Sequence, residues 1–173
     1  DPSGIQAIAS ALTGNGVLNN LVLNLNTIFD VGAIALGNAL KTNKTLKKLD
    51  LGDCKIAVEG GKALASVLSE SSAVLTSLDL SSNFLCGVNH NGGGIYDASG
   101  ITALANALNF NAVLKKLVLS DNNIHDDGAI AIGGSLQTNS TLKELYLRRC
   151  GIRAEGGKAI GVGLKAGIAV LTS

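Results

Sequence analysis

The stretch Leu46-Lys47-Lys48-Leu49-Asp50-Leu51-Gly52-Asp53-Cys54-Lys55-Ile56 decides the fold, because the chain writes the same phrase four more times. The copies are Leu18, Leu21, Leu23, Asn26, Ile28; then Leu75, Leu78, Leu80, Asn83, Leu85; then Leu114, Leu117, Leu119, Asn122, Ile124; and Leu142, Leu145, Leu147, Cys150, Ile152. A sixth copy begins at Leu171. Within each phrase the fourth and sixth residues are Leu and flank one outward residue, the period-two pattern of a short strand with one buried face.

The phrases start 28, 29, 39, 28 and 29 residues apart, and the long step holds an insertion, Cys86–Ser99. A larger period of 96 residues lies on top, with residues 4–77 matching 100–173 at more than half of their positions. Even the openings agree, Asp1-Pro2-Ser3-Gly4-Ile5 against Asp97-Ala98-Ser99-Gly100-Ile101. The pattern reads as a duplicated module of three repeats within one domain spanning 1–173. It sets the expectation of an excerpt from a longer array.

Between the phrases lie Ala- and Gly-rich segments such as Gly32–Leu40, Gly60–Leu68, Gly100–Leu108, Gly128–Leu136 and Gly156–Leu164. Leu36 with Leu40, and Leu64 with Leu68, stand four apart on one helical face. Asp30, Glu59, Asp97, Asp126 and Glu155 sit near the starts, where a helix favours negative charge. Thr42-Asn43 and Thr138-Asn139 end the helices. Each unit is therefore strand, turn, helix, turn, and no unit buries its apolar side alone, so the units stack. Stacked strands lie about 4.8 Å apart and packed helices about 8–10 Å, so the stack bends with its strands inside.

The ninth position of the phrase holds Asn26, Cys54, Asn83, Asn122 and Cys150. Here the chain turns inward and strands backbone groups. An Asn side chain both donates and accepts, and Cys fits the same space with a weaker donor, so this column is read as structural.

The 28/29-residue step, the mixed Asn/Cys column and the Gly-Ala-x-Ala-Leu helices resemble the ribonuclease-inhibitor-like class of leucine-rich repeats. The resemblance implies an α/β right-handed solenoid, a horseshoe arc with parallel strands on its concave face and helices on its convex face. It also implies protein recognition across the concave face or rim.

On that face the expected contact residues are Lys48, Asp50, Asp79, Lys116, Glu144, Tyr146, Arg148 and Arg149, with Arg153 adding to a basic corner. The outward series from Asn20, Val22 and Asn24 runs through Gly52, Ser77, Ser81, Val118 and Ser120. Tyr and Arg are the residue types that most often anchor interfaces, which favours the Tyr146–Arg148 end. In the insertion, Cys86 and His90 lack the further ligands of a metal site, and a mobile loop is the expectation. Its Gly92-Gly93-Gly94 triplet lacks the Lys-Ser/Thr ending of a phosphate loop. His125 aligns with Phe29 in the other module, which marks a surface position and not a catalyst. Asn43-Lys44-Thr45 and Asn139-Ser140-Thr141 are formal glycosylation sequons, but the same phrase serves as the turn entering the next strand. Ile34 and Ile130 stand where sister repeats carry Lys62 and Lys158, marking either a convex contact or a flank.

Net charge is +1, aromatic residues are 3% of the chain, and Met and Trp are absent. No strong field favours nucleic acid or an anionic membrane surface. No apolar run approaches the roughly 18 residues of a membrane span. With no converging triad, carboxylate pair or metal cluster, the expectation is a binding scaffold that is not an enzyme and takes no cofactor or metal. Its partner would be another protein, met face-on, or further repeats or a neighbouring subunit met end-on. The alternatives are a regulator or inhibitor of an enzyme or GTPase by direct contact, and a spacer between domains. Three cysteines without disulfide spacing suggest a reducing, intracellular and cytoplasmic setting.

Overall fold

A computed structural model of the chain describes residues 1–166. Helices and strands alternate throughout: α1 (Ser3–Gly14), β1 (Asn20–Val22), α2 (Phe29–Thr42), β2 (Lys48–Asp50), α3 (Val58–Leu68), β3 (Ser77–Asp79), α4 (Ser99–Leu108), β4 (Lys116–Val118), α5 (His125–Leu136), β5 (Glu144–Tyr146) and α6 (Ala154–Ala166). The sixth phrase, from Leu171, lies outside the described residues.

The five strands form one parallel sheet in sequence order, each pairing with the next. Register is identical at every junction, so Leu21, Leu49, Leu78, Leu117 and Leu145 form one row. These are the fourth residues of the phrases. Packed beneath them, Leu46, Leu51, Leu75, Leu80, Leu114 and Leu119 are buried together with Leu36, Leu64, Leu104 and Ile132 from the helices in one continuous core. Parallel neighbours in one sheet need crossovers, here helical and right-handed. Each helix packs on the next along the opposite layer, and wider helix spacing than strand spacing curves the result into the expected arc. Glycine keeps that outer layer tight: a Cβ at Gly133 of α5 would meet the Ala159 carbonyl of α6. The fold is an α/β leucine-rich-repeat solenoid.

The helices begin earlier than the Gly-Ala cores of the sequence indicated, and their caps are unusual. The N-cap residue makes no side-chain cap bond in α1 to α5, although Asp1 and Asp97, one residue earlier, accept the Ser3 and Ser99 N–H groups at 2.9 and 2.8 Å. Two of the acids act across the stack instead. Asp30 Oδ1 accepts from the Ala57 N–H ahead of α3 at 2.6 Å, and Asp126 Oδ1 accepts from the Arg153 and Gly156 N–H groups at the start of α6. Glu59 and Glu155 pair with Lys62 and Lys158, one turn on, at 2.8 and 2.7 Å.

The insertion is folded back on itself by internal hydrogen bonds. Val88 and Gly94 form an antiparallel bridge, Asn89 N–H donates to the Gly93 carbonyl at 2.8 Å, and Asp97 N–H closes the base on the Cys86 carbonyl at 2.9 Å. Tyr96 then ties this turn to the next repeat, its hydroxyl donating to the Ile124 carbonyl at 2.8 Å and its ring lying edge-on to His125. Among the described residues no helix is long and apolar enough to cross a membrane.

Candidate functional site

The sheet face is built from the third and fifth residues of each phrase. Identical register lines up Asn20, Lys48, Ser77, Lys116 and Glu144 in one row and Val22, Asp50, Asp79, Val118 and Tyr146 in the next. The strands are three residues long, so the seventh positions lie beyond them. There the outward series expected from the sequence breaks down. Gly52 and Ser120 are buried, while Asn24 and Arg148 are exposed. Ser120 turns inward because its hydroxyl accepts from the Arg148 N–H at 3.2 Å.

Lys116, Glu144 and Tyr146 come together as one cluster. Lys116 Nζ lies 3.4 Å from a Glu144 carboxylate oxygen and 4.9 Å from the centre of the Tyr146 ring. The Tyr146 hydroxyl donates to the same carboxylate oxygen at 3.0 Å. Tyr146 is nonetheless 45% exposed. The cation over the ring and the hydroxyl on the carboxylate fix its orientation while leaving its apolar area open. Arg148, two residues beyond that strand's last residue, is exposed. Arg149 stands apart from the strand rows, in a left-handed backbone conformation (φ 52) on the loop leaving β5.

Across the sheet the charge changes sign. Asp50 and Asp79 are register partners, and with Asp53 they line an open hollow of about 260 Å³. Each has one oxygen occupied within its own turn, Asp50 by the Gly52 N–H at 3.0 Å and Asp79 by the Ser81 N–H and hydroxyl at 2.8 and 2.6 Å. Lys48 is exposed beside them. The face is therefore acidic over β2 and β3 and carries Arg148, with Arg149 and Arg153 close in sequence, at β5.

The Asn/Cys column lies at the inner edge of this face. Asn83 donates to the Leu51, Leu80 and Ser81 carbonyls and accepts from the Cys54 and Ile56 N–H groups. Asn122 donates to Leu80, Leu119 and Ser120. Cys54 and Cys150 make the corresponding thiol contacts to the Leu23 and Leu119 carbonyls at 3.2 and 3.3 Å. Asn26, in the first repeat, is exposed and bonds only to its own turn among the described residues. Burial pushes the Cys54 thiol up to about 11, and it raises Cys150 as well. Both thiols stay protonated at neutral pH, which suits a packing role and not a nucleophile.

The structure also holds a second Asn column that the sequence reading passed over. Asn43 donates to the Leu12 and Asn15 carbonyls at 2.7 and 2.9 Å and accepts from the Leu46 N–H at 2.8 Å. Asn139 repeats this with Leu108, Asn111 and Leu142, and Asn111 with Leu68 and Leu114. Asn43 and Asn139 are 2% and 3% exposed, so the amide nitrogens of both sequons are committed inside the fold.

Cys86 and His90 separate. Cys86 is fully buried in the core, whereas exposed His90 sits 3.2 Å from the Ser82 carbonyl and edge-on to Phe84. Among the described residues no group of His, Cys, Asp and Glu has metal-binding geometry. A hollow of about 360 Å³ on the rim is lined by His125, Asp126, Asp127, Gly151 and Arg153. Its Asp126 is occupied by the α6 backbone contacts described above. Ile34 and Ile130 are 40% and 49% exposed on the helical side.

The Leucine Rich repeat family model matches residues 42–65, 110–133 and 138–161. Among curated proteins the chain is 33% identical over 126 residues to "NACHT, LRR and PYD domains-containing protein 4C" of Mus musculus, covering 72% of this chain and 12% of that protein. It is 34% identical over 147 residues to "NACHT, LRR and PYD domains-containing protein 5" of Bos taurus, covering 73% of this chain and 13% of that protein. The chain thus spans only about an eighth of the length of these relatives. Among solved structures it resembles the leiomodin-1 actin-binding site 2, at 20% identity and a TM-score of 0.67, covering 95% of this chain and 87% of that one. It also resembles the tropomodulin C-terminal domain of Caenorhabditis elegans, at 14% identity and a TM-score of 0.69, covering 94% of this chain and 92% of that one. With the recurring phrase, the uniform strand register and the cross-repeat Asn bonds, these matches show that the chain belongs to the leucine-rich-repeat family.

Proposed function

We propose that this chain is a protein-binding scaffold whose concave sheet face takes a partner protein, with its strongest contacts at the β4–β5 end. The observation that carries this reading is the Lys116–Glu144–Tyr146 cluster. An aromatic ring already fixed by a cation at 4.9 Å and a carboxylate at 3.0 Å loses little conformational freedom when a partner covers it. Arg148 and Arg149, two and three residues after Tyr146, are exposed and supply donors for carboxylates.

The matching partner surface carries acidic groups opposite Arg148 and Arg149 and basic groups opposite Lys48's neighbours Asp50 and Asp79. Charge complementarity of this kind speeds encounter and fixes register more than it adds affinity. The leiomodin-1 segment with a related fold is itself named for an actin-binding site, which supports a protein partner for such a scaffold without identifying it. In this reading the chain binds and does not catalyse. The reading places the chain in an intracellular compartment, where its three buried cysteines stay reduced.

The test is affinity capture with the wild-type chain, a Tyr146→Ala/Arg148→Ala double variant and a convex-side control, Lys62→Ala. A partner retained by wild type and control, and weakened by about 30-fold or more in the double variant, supports the assignment. Equal retention by all three removes it.

A further inference from the structure

The parallel strands run in sequence order, so every helix-to-strand loop lies on one rim of the arc and every strand-to-helix loop on the other. A chain of net charge +1 spreads its charge unevenly between them. The strand-to-helix rim is mixed, with Asp53, Asp97 and Asp121 on the same loops as Lys55, Arg148 and Arg149. The helix-to-strand loops carry Lys44, Lys47, Lys115 and Lys143, all exposed, with Glu70 as their one acid among the described residues.

Three of these lysines form a row. Thr76 N–H donates to the Lys47 carbonyl, Lys115 N–H to the Thr76 carbonyl and Lys143 N–H to the Lys115 carbonyl, each at 2.8 Å. They hold the second place of successive phrases, so the row spans three rungs, or roughly 14 Å. No ion pair holds any of the three among the described residues. Lys47 and Lys115 precede strands that are paired on both sides, so their exposure belongs to the rim and not to an end of the stack. Lys44 is tethered instead, its ammonium bonding the Lys41 and Ser72 carbonyls at 3.0 and 3.4 Å.

Phe110 stands on this same rim and breaks the local pattern. The phrase Leu-x-x-Asn closes three helices, as Leu40–Asn43, Leu108–Asn111 and Leu136–Asn139. Its third residue is Thr42 or Thr138 in two of them, and each hydroxyl donates to a carbonyl of its own helix end, Ala39 at 3.1 Å and Ser135 at 3.3 Å. The middle copy has Phe110, which forgoes that bond and is 76% exposed. A ring left in water contributes little to the fold, and such breaks of a local rule mark positions kept for another use. The Asn111 carboxamide accepts the Leu114 N–H at 2.7 Å, so Phe110 and Lys115 flank one closed turn.

We propose that this rim is a second binding surface, for an extended acidic segment of a partner protein with an apolar side chain among its carboxylates. The carboxylates meet Lys47, Lys115 and Lys143, and the apolar side chain covers Phe110. An extended segment sets every second side chain on one side at intervals of about 6.8 Å, so three alternating acids match the length of the row. Thr76 and Glu70 interrupt the basic rim, and a net charge near zero gives no long-range field of the kind that gathers polyanions. Both favour a short acidic peptide over nucleic acid. The surface is separate from the Tyr146 cluster and does not depend on the concave-face reading.

Fluorescence anisotropy tests this with a labelled peptide of alternating Glu and Ser that carries one central Leu. Wild type is expected to bind it with Kd below about 100 μM at low salt, and several-fold more weakly as salt is raised. Lys47→Ala/Lys115→Ala/Lys143→Ala weakens binding by about tenfold or more. Phe110→Thr weakens it by about fivefold while keeping or raising the thermal midpoint, because the hydroxyl of the sister repeats returns. Lys62→Ala/Lys158→Ala on the convex side and Tyr146→Ala/Arg148→Ala on the sheet face leave affinity unchanged. A peptide with Ser in place of Leu binds wild type and Phe110→Thr alike. Failure of wild type to bind the acidic peptide overturns the proposal. So does undiminished affinity in Phe110→Thr or in the triple lysine variant, or an oligothymidylate or phosphatidylserine vesicle that binds more tightly than the peptide.

Discussion

The Asp126 carboxylate accepts the backbone N–H of Gly156 at 2.9 Å, thirty residues further along the chain. It also accepts the Arg153 N–H at 2.8 Å, so one side chain in the first turn of α5 serves two of the otherwise unpaired donors that open α6. Asp30 stands in the same relation to Ala57 at the head of α3. The acid therefore couples neighbouring repeats and does more than favour its own helix dipole. Asp126→Ala is expected to lower unfolding free energy by about 1–2 kcal/mol, read from urea denaturation followed by circular dichroism. Asp126→Asn keeps an acceptor and should cost less. Glu155→Ala, which loses only an exposed pair with Lys158, should change stability by less than about 0.5 kcal/mol.

The Asn columns set a second prediction. Asn83 has five backbone partners between 2.8 and 3.1 Å and is fully buried. Asn83→Ala strands several of those groups and is expected to cost roughly 2–4 kcal/mol. Asn83→Cys should cost less, because Cys54 and Cys150 already fill this position with one thiol contact to the preceding repeat. Asn43→Ala and Asn139→Ala should fall in the same range as Asn83→Ala, while Asn26→Ala, in the exposed first repeat, should be nearly silent. Denaturant midpoints of the five variants rank the predictions directly.

How much of this was legible beforehand depended on whether a residue's role was local. The strand phrase was readable because alternation of Leu49 and Leu51 with Lys48 and Asp50 is set within a few residues. The ninth-position column was readable because its polar residue recurs inside an apolar phrase. The Asn43 and Asn139 column was missed because Asn is common in exposed turns anyway; its burial arises only from bonds to carbonyls some thirty residues away. Ser72 at the third copy broke the series further. The Asp126 cap was misassigned to its own helix for the same reason. At the candidate face, the register rule placed Lys116 beside Glu144, but the contraction of the outward series to two rows followed from strands only three residues long.

A third prediction concerns backbone strain. The eighth residue of every phrase, Leu25, Asp53, Ser82, Asp121 and Arg149, takes φ between 50 and 61. This left-handed conformation is tolerated best by Gly and then by Asn or Asp. Leu25 suits it poorly, and its side chain is 75% exposed, so little packing is lost on replacement. Its N–H bonds the Gly52 carbonyl at 2.8 Å, which holds the conformation whatever the side chain. Leu25→Asn and Leu25→Gly are expected to raise stability by about 0.5–1 kcal/mol, seen as a higher thermal midpoint. A lower midpoint for both would mean that the Leu25 side chain is used after all.

The buried thiols and Tyr96 give the pH dependence. Burial raises Cys54 from an ordinary 9.0 to about 11, Cys86 from 9.0 to about 12 and Tyr96 from 10.0 to about 12. Each group is neutral in its protonated form, so between its unfolded and folded values the unfolded chain has given up a proton that the folded chain keeps. Stability is therefore complete below about pH 9 and falls as pH rises toward 11–12. Urea unfolding at a series of pH values from 8 upward should show a falling midpoint that begins near the ordinary thiol value. Cys86→Ala should lower stability at every pH through lost packing yet flatten the alkaline slope, because the residue with one of the largest shifts no longer titrates. A thiol reagent at pH 8 should leave all three cysteines unmodified in the folded chain and reach all three in urea. Rapid labelling of Cys86 without urea would mean that the turn closed by Asp97 on the Cys86 carbonyl opens far more readily than its packing implies.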